Sequence, residues 1–177
     1  MRSLTLYMDV LLGIVLATHA AAQEAERVVL ENQVLRLEIG KSRAPHVARL
    51  VHRASRQALV DNPQSKSLFA IVLVNEDGGQ ETVESASAGE SSVEVVSGQA
   101  VNKVVLRYAK FPVEGLAAEV TATCDVQDRL VRWSMRLENP SGRQIAAIRF
   151  PMLMAVPTIG QGQDDVLVLP ALPGTLI

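Results

Sequence analysis

Leu116-Ala117-Ala118-Glu119-Val120-Thr121-Ala122-Thr123-Cys124-Asp125-Val126 decides the fold. Leu116, Ala118, Val120, Ala122, Cys124 and Val126 fall on one side of an extended chain, and Glu119, Thr121, Thr123 and Asp125 on the other. Alternation with a period of two marks a strand with one dry and one wet face. The next segment repeats it: Val131, Trp133, Met135 and Leu137 align opposite Arg132, Ser134, Arg136 and Glu138. Upstream, Val104, Leu106 and Tyr108 oppose Lys103 and Arg107, and Leu35, Leu37 and Ile39 oppose Arg36 and Glu38. Half-buried alternating strands of this kind belong to antiparallel sheets.

Working outward, Leu68-Phe69-Ala70-Ile71-Val72-Leu73-Val74 is apolar without interruption. It suggests a central strand covered on both faces, although a short buried helix has the same periodicity. Val28 to Leu30, Val47 to Val51, Val93 to Val96, Ala146 to Met152 and Val166 to Leu169 are further strand candidates. Asn75-Glu76-Asp77-Gly78-Gly79 is a turn signal, and Asn139-Pro140-Ser141-Gly142 fits a type I turn. The second turn is expected to join the Trp133 strand to the Phe150 strand as a hairpin. Ser85 to Ser92, small and polar, reads as an exposed loop. About ten short strands with no helical periodicity between them predict an all-β, antiparallel β-sandwich.

Composition narrows the function classes. The chain has 177 residues, enough for one domain and too few for a barrel enzyme of roughly 250 residues. A hydrophobic content of 48% excludes wholesale disorder. A net charge of −2 gives no basic footprint for nucleic acid. A single cysteine excludes an intrachain disulfide framework and a cysteine-rich zinc site.

Residues 1–22 read as an address. Arg2 supplies the positive start, Val10 to Ala17 an apolar core, and Ala20-Ala21-Ala22 the small residues of a cleavage site before Gln23. Asp9 is a blemish in that pattern. The rival reading, a membrane anchor, needs about 20 apolar residues, more than this run provides. A signal peptide over 1–22 predicts a secreted or periplasmic protein with no membrane attachment after cleavage. Residues 23–177 then form the sandwich domain. The chain stops on Leu176-Ile177 just after Pro173-Gly174, which predicts the opening part of a longer protein or a truncated reading frame.

No side chains stand out as a catalytic set. Cys124 lies on the dry face of its strand and reads as a small hydrophobe. His46 and His52 are six apart, which places both on one face of an extended strand but near 20 Å from each other, too far for joint metal ligation. Arg49 and Arg53 beside them make an exposed basic rim. His19 leaves with the signal peptide. Asp164 and Asp165 are adjacent, whereas a calcium loop needs alternating oxygen ligands. Glu24, Glu26, Glu31 and Glu38 read as surface charges. Trp133, the only tryptophan, shares the parity of Val131, Met135 and Leu137 and reads as core rather than as a sugar-stacking platform. Phe69, Tyr108, Phe111 and Phe150 all lie in or beside apolar runs. No phosphate loop, nucleophile elbow or metalloprotease motif is present. The expectation is therefore no catalytic residue, no cofactor and no metal ligand.

Leu30-Glu31-Asn32-Gln33-Val34-Leu35-Arg36-Leu37-Glu38-Ile39, followed by Val47-Ala48-Arg49-Leu50-Val51-His52-Arg53-Ala54-Ser55-Arg56-Gln57-Ala58-Leu59-Val60, carries a resemblance. A strand of the form Asn-x-x-Leu-x-Leu leads into a hairpin around a basic-Ala-Ser/Thr-Gly-like turn. Val131 to Asn139, Ile148 to Leu153, Leu169-Pro170 and Pro173 to Ile177 look like the later strands and exit of the same domain. Together they resemble the N-terminal galactose-mutarotase-like β-sandwich of secreted glycoside-hydrolase-like proteins. In such proteins the sandwich precedes a catalytic (β/α)₈ barrel that carries the acidic catalytic residues. The resemblance implies a non-catalytic accessory sandwich, with carbohydrate and a C-terminal catalytic domain as partners. A free-standing mutarotase uses a catalytic His and Glu, and neither His46 nor His52 matches those positions. The alternative reading is a free-standing carbohydrate-binding or structural β-sandwich module.

Overall fold

A computed structural model describes residues 27–41, 44–61, 67–98 and 101–153. The expected signal peptide, Glu24, Glu26, Asp164, Asp165 and the candidate strand Val166 to Leu169 lie outside the described residues. Within them the chain is all-β and antiparallel. A first sheet has the order β1 (Arg27–Glu31), β2 (Leu35–Gly40), β3 (His46–His52), β4 (Gln57–Asp61). A second sheet places β5 (Ala70–Val74) between β6 (Gln80–Glu84) and β11 (Ile145–Arg149). The third has the order β10 (Arg132–Glu138), β9 (Ala117–Asp125), β8 (Val101–Ala109), β7 (Glu90–Ser97).

All three sheets face one core. Val28, Leu37 and Val47 come from the first sheet, Ile71, Leu73 and Val83 from the second, and Val104, Leu106 and Val120 from the third. β9 alternates buried and half-buried along its whole length, as its sequence predicts. β5 is buried at both parities from Ala70 to Leu73 and lies between two strands. This decides the ambiguous apolar run in favour of a central strand. Tyr108 links the sheets at their centre. Its hydroxyl donates to the Pro45 carbonyl at 2.7 Å, and its ring meets Phe69 edge-on at 5.1 Å. Burial pushes its phenol well above the ordinary value.

Turn chemistry follows the sequence in two places. Asn75 to Gly79 closes the β5–β6 hairpin, with Gly78 at φ +82° and the Asn75 N–H donating to the Gly79 carbonyl at 2.8 Å. The β3–β4 hairpin turns through residues 53–56, and Arg56, at the Gly-like position, takes φ +58°.

Two connections differ from expectation. Pro140 and Ser141 do form a turn, with Gly142 at φ +70°. However, β10 pairs with β9 and β11 pairs with β5, so the turn carries the chain from one sheet to another and makes no hairpin. The close approach of this crossover to Gly115 is tight: a Cβ on Gly115 would lie 2.4 Å from the Pro140 ring, and Gly115 has φ +68°. Ser85 to Ser92 is likewise no exposed loop. Ser85 is fully buried and begins a 3₁₀ turn, Ser85–Ser87, and Glu90 already belongs to β7. The Ser85 hydroxyl accepts the Leu68 N–H at 2.7 Å and the Ser85 N–H donates to the Phe69 carbonyl at 3.0 Å. Small side chains let this crossover lie against β5, which composition alone cannot distinguish from solvent-facing chain.

Asn32 ties the first sheet to the third. It is 2% exposed. Its amide oxygen accepts the N–H groups of Val34 (2.9 Å) and Leu35 (2.7 Å), closing the β1–β2 turn. Its amide nitrogen donates to the Leu130 carbonyl at 3.0 Å, in the β9–β10 connection. Removing it takes the side-chain partner from the half-buried N–H groups of Val34 and Leu35 and from the Leu130 carbonyl. Asn32→Ala is expected to cost about 1–3 kcal/mol and Tyr108→Phe about 1 kcal/mol, read as lower urea midpoints with unchanged m-values. A midpoint for Asn32→Ala equal to that of the parent chain would contradict the assignment.

Candidate functional site

The outward face of the β7–β10 sheet carries an ordered row of charged side chains. Cross-strand register sets Ser92, Arg107, Glu119 and Arg136 in one row, and Glu94, Val105, Thr121 and Ser134 in the next. Arg107, Glu119, Thr121, Ser134 and Arg136 are wet positions that the alternation predicts for β8, β9 and β10, whereas Val105 on the same face is buried. Arg107 donates to Glu94 at 2.7 Å and to Glu119 at 3.0 Å. Arg136 is more open, with Glu138 at 3.5 Å and 78% of its side chain exposed. Ala109 and Ala117 are small and lie between long neighbours. The result is a shallow groove of about 310 Å³ whose walls include Arg107, Glu119, Arg136 and Glu138. A recess of about 290 Å³ adjoins it on the other side of Arg107, against Glu90 and Ser92. The groove offers fixed donors and acceptors to a polar ligand.

The outward face of the first sheet is also polar, but closed. Glu38 is 8% exposed and accepts hydrogen bonds from Arg27 (2.8 Å) and Arg36 (3.0 Å). It is therefore no free surface charge. Burial alone would push its carboxyl up, but the bonds and charges of Arg36 and Arg27 outweigh this and hold it below the usual carboxylate range. Glu31 takes Arg36 at 2.6 Å and Arg53 at 3.8 Å. Arg53 also donates to the Asn32 carbonyl. Arg49 stands opposite Glu38 and Asp61 in register, with its Nε buried and without a hydrogen-bond partner. The expected basic rim is thus an interleaved lattice of both signs.

The histidines fall on opposite faces of β3, where their even spacing predicts one shared face. Glu38 pairs with Arg49 and Ile39 with Val47, so Ala48 is a bulge residue in β3. One inserted residue reverses strand parity. His52 consequently follows Leu50 and Leu35 on the inward side, while His46 lies on the outward side opposite Gly40. Their rings bond locally, His46 Nδ1 with the Ala44 carbonyl at 3.0 Å and His52 Nδ1 with the Ser55 hydroxyl at 2.8 Å. Among the described residues no group of three or more His, Cys, Asp or Glu side chains is placed to hold a metal ion.

Cys124 is fully buried where strand parity puts it. Desolvation, reinforced by Asp128, Glu31 and Asp125, raises its thiol, which disfavours the nucleophilic thiolate. Trp133 points inward as predicted and meets Phe150 edge-on at 6.3 Å, but it is only half-buried because β10 is an edge strand. Phe69, Tyr108 and Phe111 are buried. Among the described residues no aromatic ring lies on an outward sheet face. Asn32 is the residue whose role sequence reasoning missed; its place at the head of Asn-x-x-Leu-x-Leu was the available signal. No helix of the described residues is long and apolar enough to cross a membrane. No protein-family model matches the chain, and a search of curated proteins finds no match.

Glu38 makes the fold acid-sensitive. Its folded pKa is lowered, so its contribution is present above the unfolded carboxylate range and is lost as pH falls through the lower folded value. Glu38→Gln is expected to cost about 1–3 kcal/mol at neutral pH and to flatten the loss of stability on acidification. Parallel stability–pH curves for parent and variant would refute this.

Proposed function

We propose that this chain is the accessory β-sandwich of a secreted carbohydrate-active protein, exported through residues 1–22 and without a reaction of its own. The resemblance of Leu30 to Val60 and Val131 to Leu153 to the galactose-mutarotase-like sandwich that precedes a catalytic barrel supports this reading. The observation that carries it against a free-standing binding module is the composition of the β7–β10 outward face. Arg107 on that face is already engaged by Glu94 and Glu119. No aromatic ring stands there among the described residues to stack on a pyranose. Such a face suits a solvated scaffold wall. The groove beside Arg136 is the one feature that favours the alternative, a sugar-binding module.

Titration with neutral oligosaccharides separates the two. The expected result is no saturable heat, an unchanged Trp133 emission and an emission maximum between buried and solvated values. Saturable binding that disappears in Arg136→Ala would establish the binding module instead. Sequencing past the codon for Ile177 tests the accessory role. The frame is expected to continue into eight strand–helix repeats. A stop codon there, with stable soluble expression, would remove that role.

A further inference from the structure

Three arginines stand around Glu38, and it bonds only two of them. Its Oε2 accepts Arg27 Nη1 at 2.8 Å and its Oε1 accepts Arg36 Nε at 3.0 Å. The third, Arg49, is directly opposite Glu38 in the β2–β3 ladder, so both lie on the outward face of the first sheet. The other carboxylates nearby do not serve it. Glu31 is engaged by Arg36 and Arg53. Asp61, opposite Arg49 on β4, is exposed and forms no ion pair among the described residues. Arg49 is half-buried, its Nε is dry, and its side chain makes no hydrogen bond or ion pair among the described residues. A dry, unbonded N–H on a permanently charged group costs stability, and an apolar side chain of similar size would avoid that cost. Packing therefore gives no reason for a guanidinium at this position.

We propose that Arg49 is the contact residue of an anion site on the outward face of the β1–β4 sheet, and that its ligand is a carboxylate of an acidic polysaccharide. Glu38 shows which anion these arginines fit: a carboxylate that gives one oxygen to each guanidinium. A second carboxylate laid against Arg49 supplies the partner that Glu38 has no oxygen left to give. Asp61 selects what carries that carboxylate. It lies across from Arg49 in register, so it repels a second anionic group placed close to the first. It accepts hydrogen bonds from hydroxyls instead. A uronate chain offers that combination, one carboxylate per ring with hydroxyls around it, whereas an acidic peptide or a polyphosphate crowds its charges. A grip by charge and hydroxyl needs no aromatic platform. The choice of a polysaccharide rests also on the accessory reading; the anion site at Arg49 does not.

Titration of the full chain with a galacturonate oligomer, its methyl ester and hexaglutamate tests it. The galacturonate oligomer is expected to bind saturably, more weakly at high salt, and the neutral ester not at all. Arg49→Gln is expected to weaken binding at least about tenfold, and Arg49→Lys to restore part of it, because it keeps the charge and loses the fork. Amide chemical shifts of Glu38, Arg49 and Asp61 are expected to move on titration, and those of Arg107 and Arg136 to stay. Should Arg49→Gln fail to fold, this shift map on the parent chain decides. No binding of the galacturonate oligomer, equal binding by Arg49→Gln, or shifts confined to the Arg107 groove would overturn the proposal. Equal binding of hexaglutamate would overturn the polysaccharide and assign the site to an acidic peptide. A stop codon after Ile177 removes the accessory reading and leaves the Arg49 shifts in place; a continuing frame without those shifts removes the site alone.

Discussion

The amide of Asn32 holds two hairpins at once. Its oxygen organises the β1–β2 turn and its nitrogen holds the Leu130 carbonyl, 98 positions along the chain. The buried amide makes all of these bonds only when both hairpins are in place. Tyr108 plays the same part deeper in the core, bonding Pro45 while it packs on Phe69. The hydrophobic effect brings the three sheets together without direction. These two polar bonds select one arrangement among the many that would bury similar area.

Charge is treated differently on the two outward faces. On the β1–β4 sheet, Glu38 is nearly dry and survives because Arg27 and Arg36 both bond it. On the β7–β10 sheet, Arg107, Glu94 and Glu119 are about half exposed, where pairs contribute little to stability. Their effect there is geometric: they hold the walls of a groove whose floor is alanine. Among the described residues neither face presents the aromatic surface with which sugar is usually gripped.

Parity predicted direction well and coverage poorly. Trp133, Met135 and Leu137 point inward as the alternation requires, but half-burial follows from β10 lying at an edge. Ile145 and Ile148 show the same effect more strongly on β11. Alternation is a local property of one strand. Edge or centre depends on which strands come to pair with it, and that is settled by contacts distant in sequence.

The sequence by itself determined most of the strands, the wet and dry faces of β8, β9 and β10, the glycine turn at Gly78 and the antiparallel all-β class. Each of these is written in side-chain period or in backbone freedom within a few residues. Tertiary structure alone decided that Asn139 to Gly142 crosses between sheets and that the Ser85 crossover is buried against Leu68 and Phe69. It alone placed the bulge at Ala48 that sends His46 and His52 to opposite faces. It also drew Glu38 under two arginines and brought Asn32 to Leu130. A turn has the same residues whether its ends pair with each other or with other strands. A carboxylate has the same letter whether water or guanidinium solvates it. Only the folded chain supplies the partner.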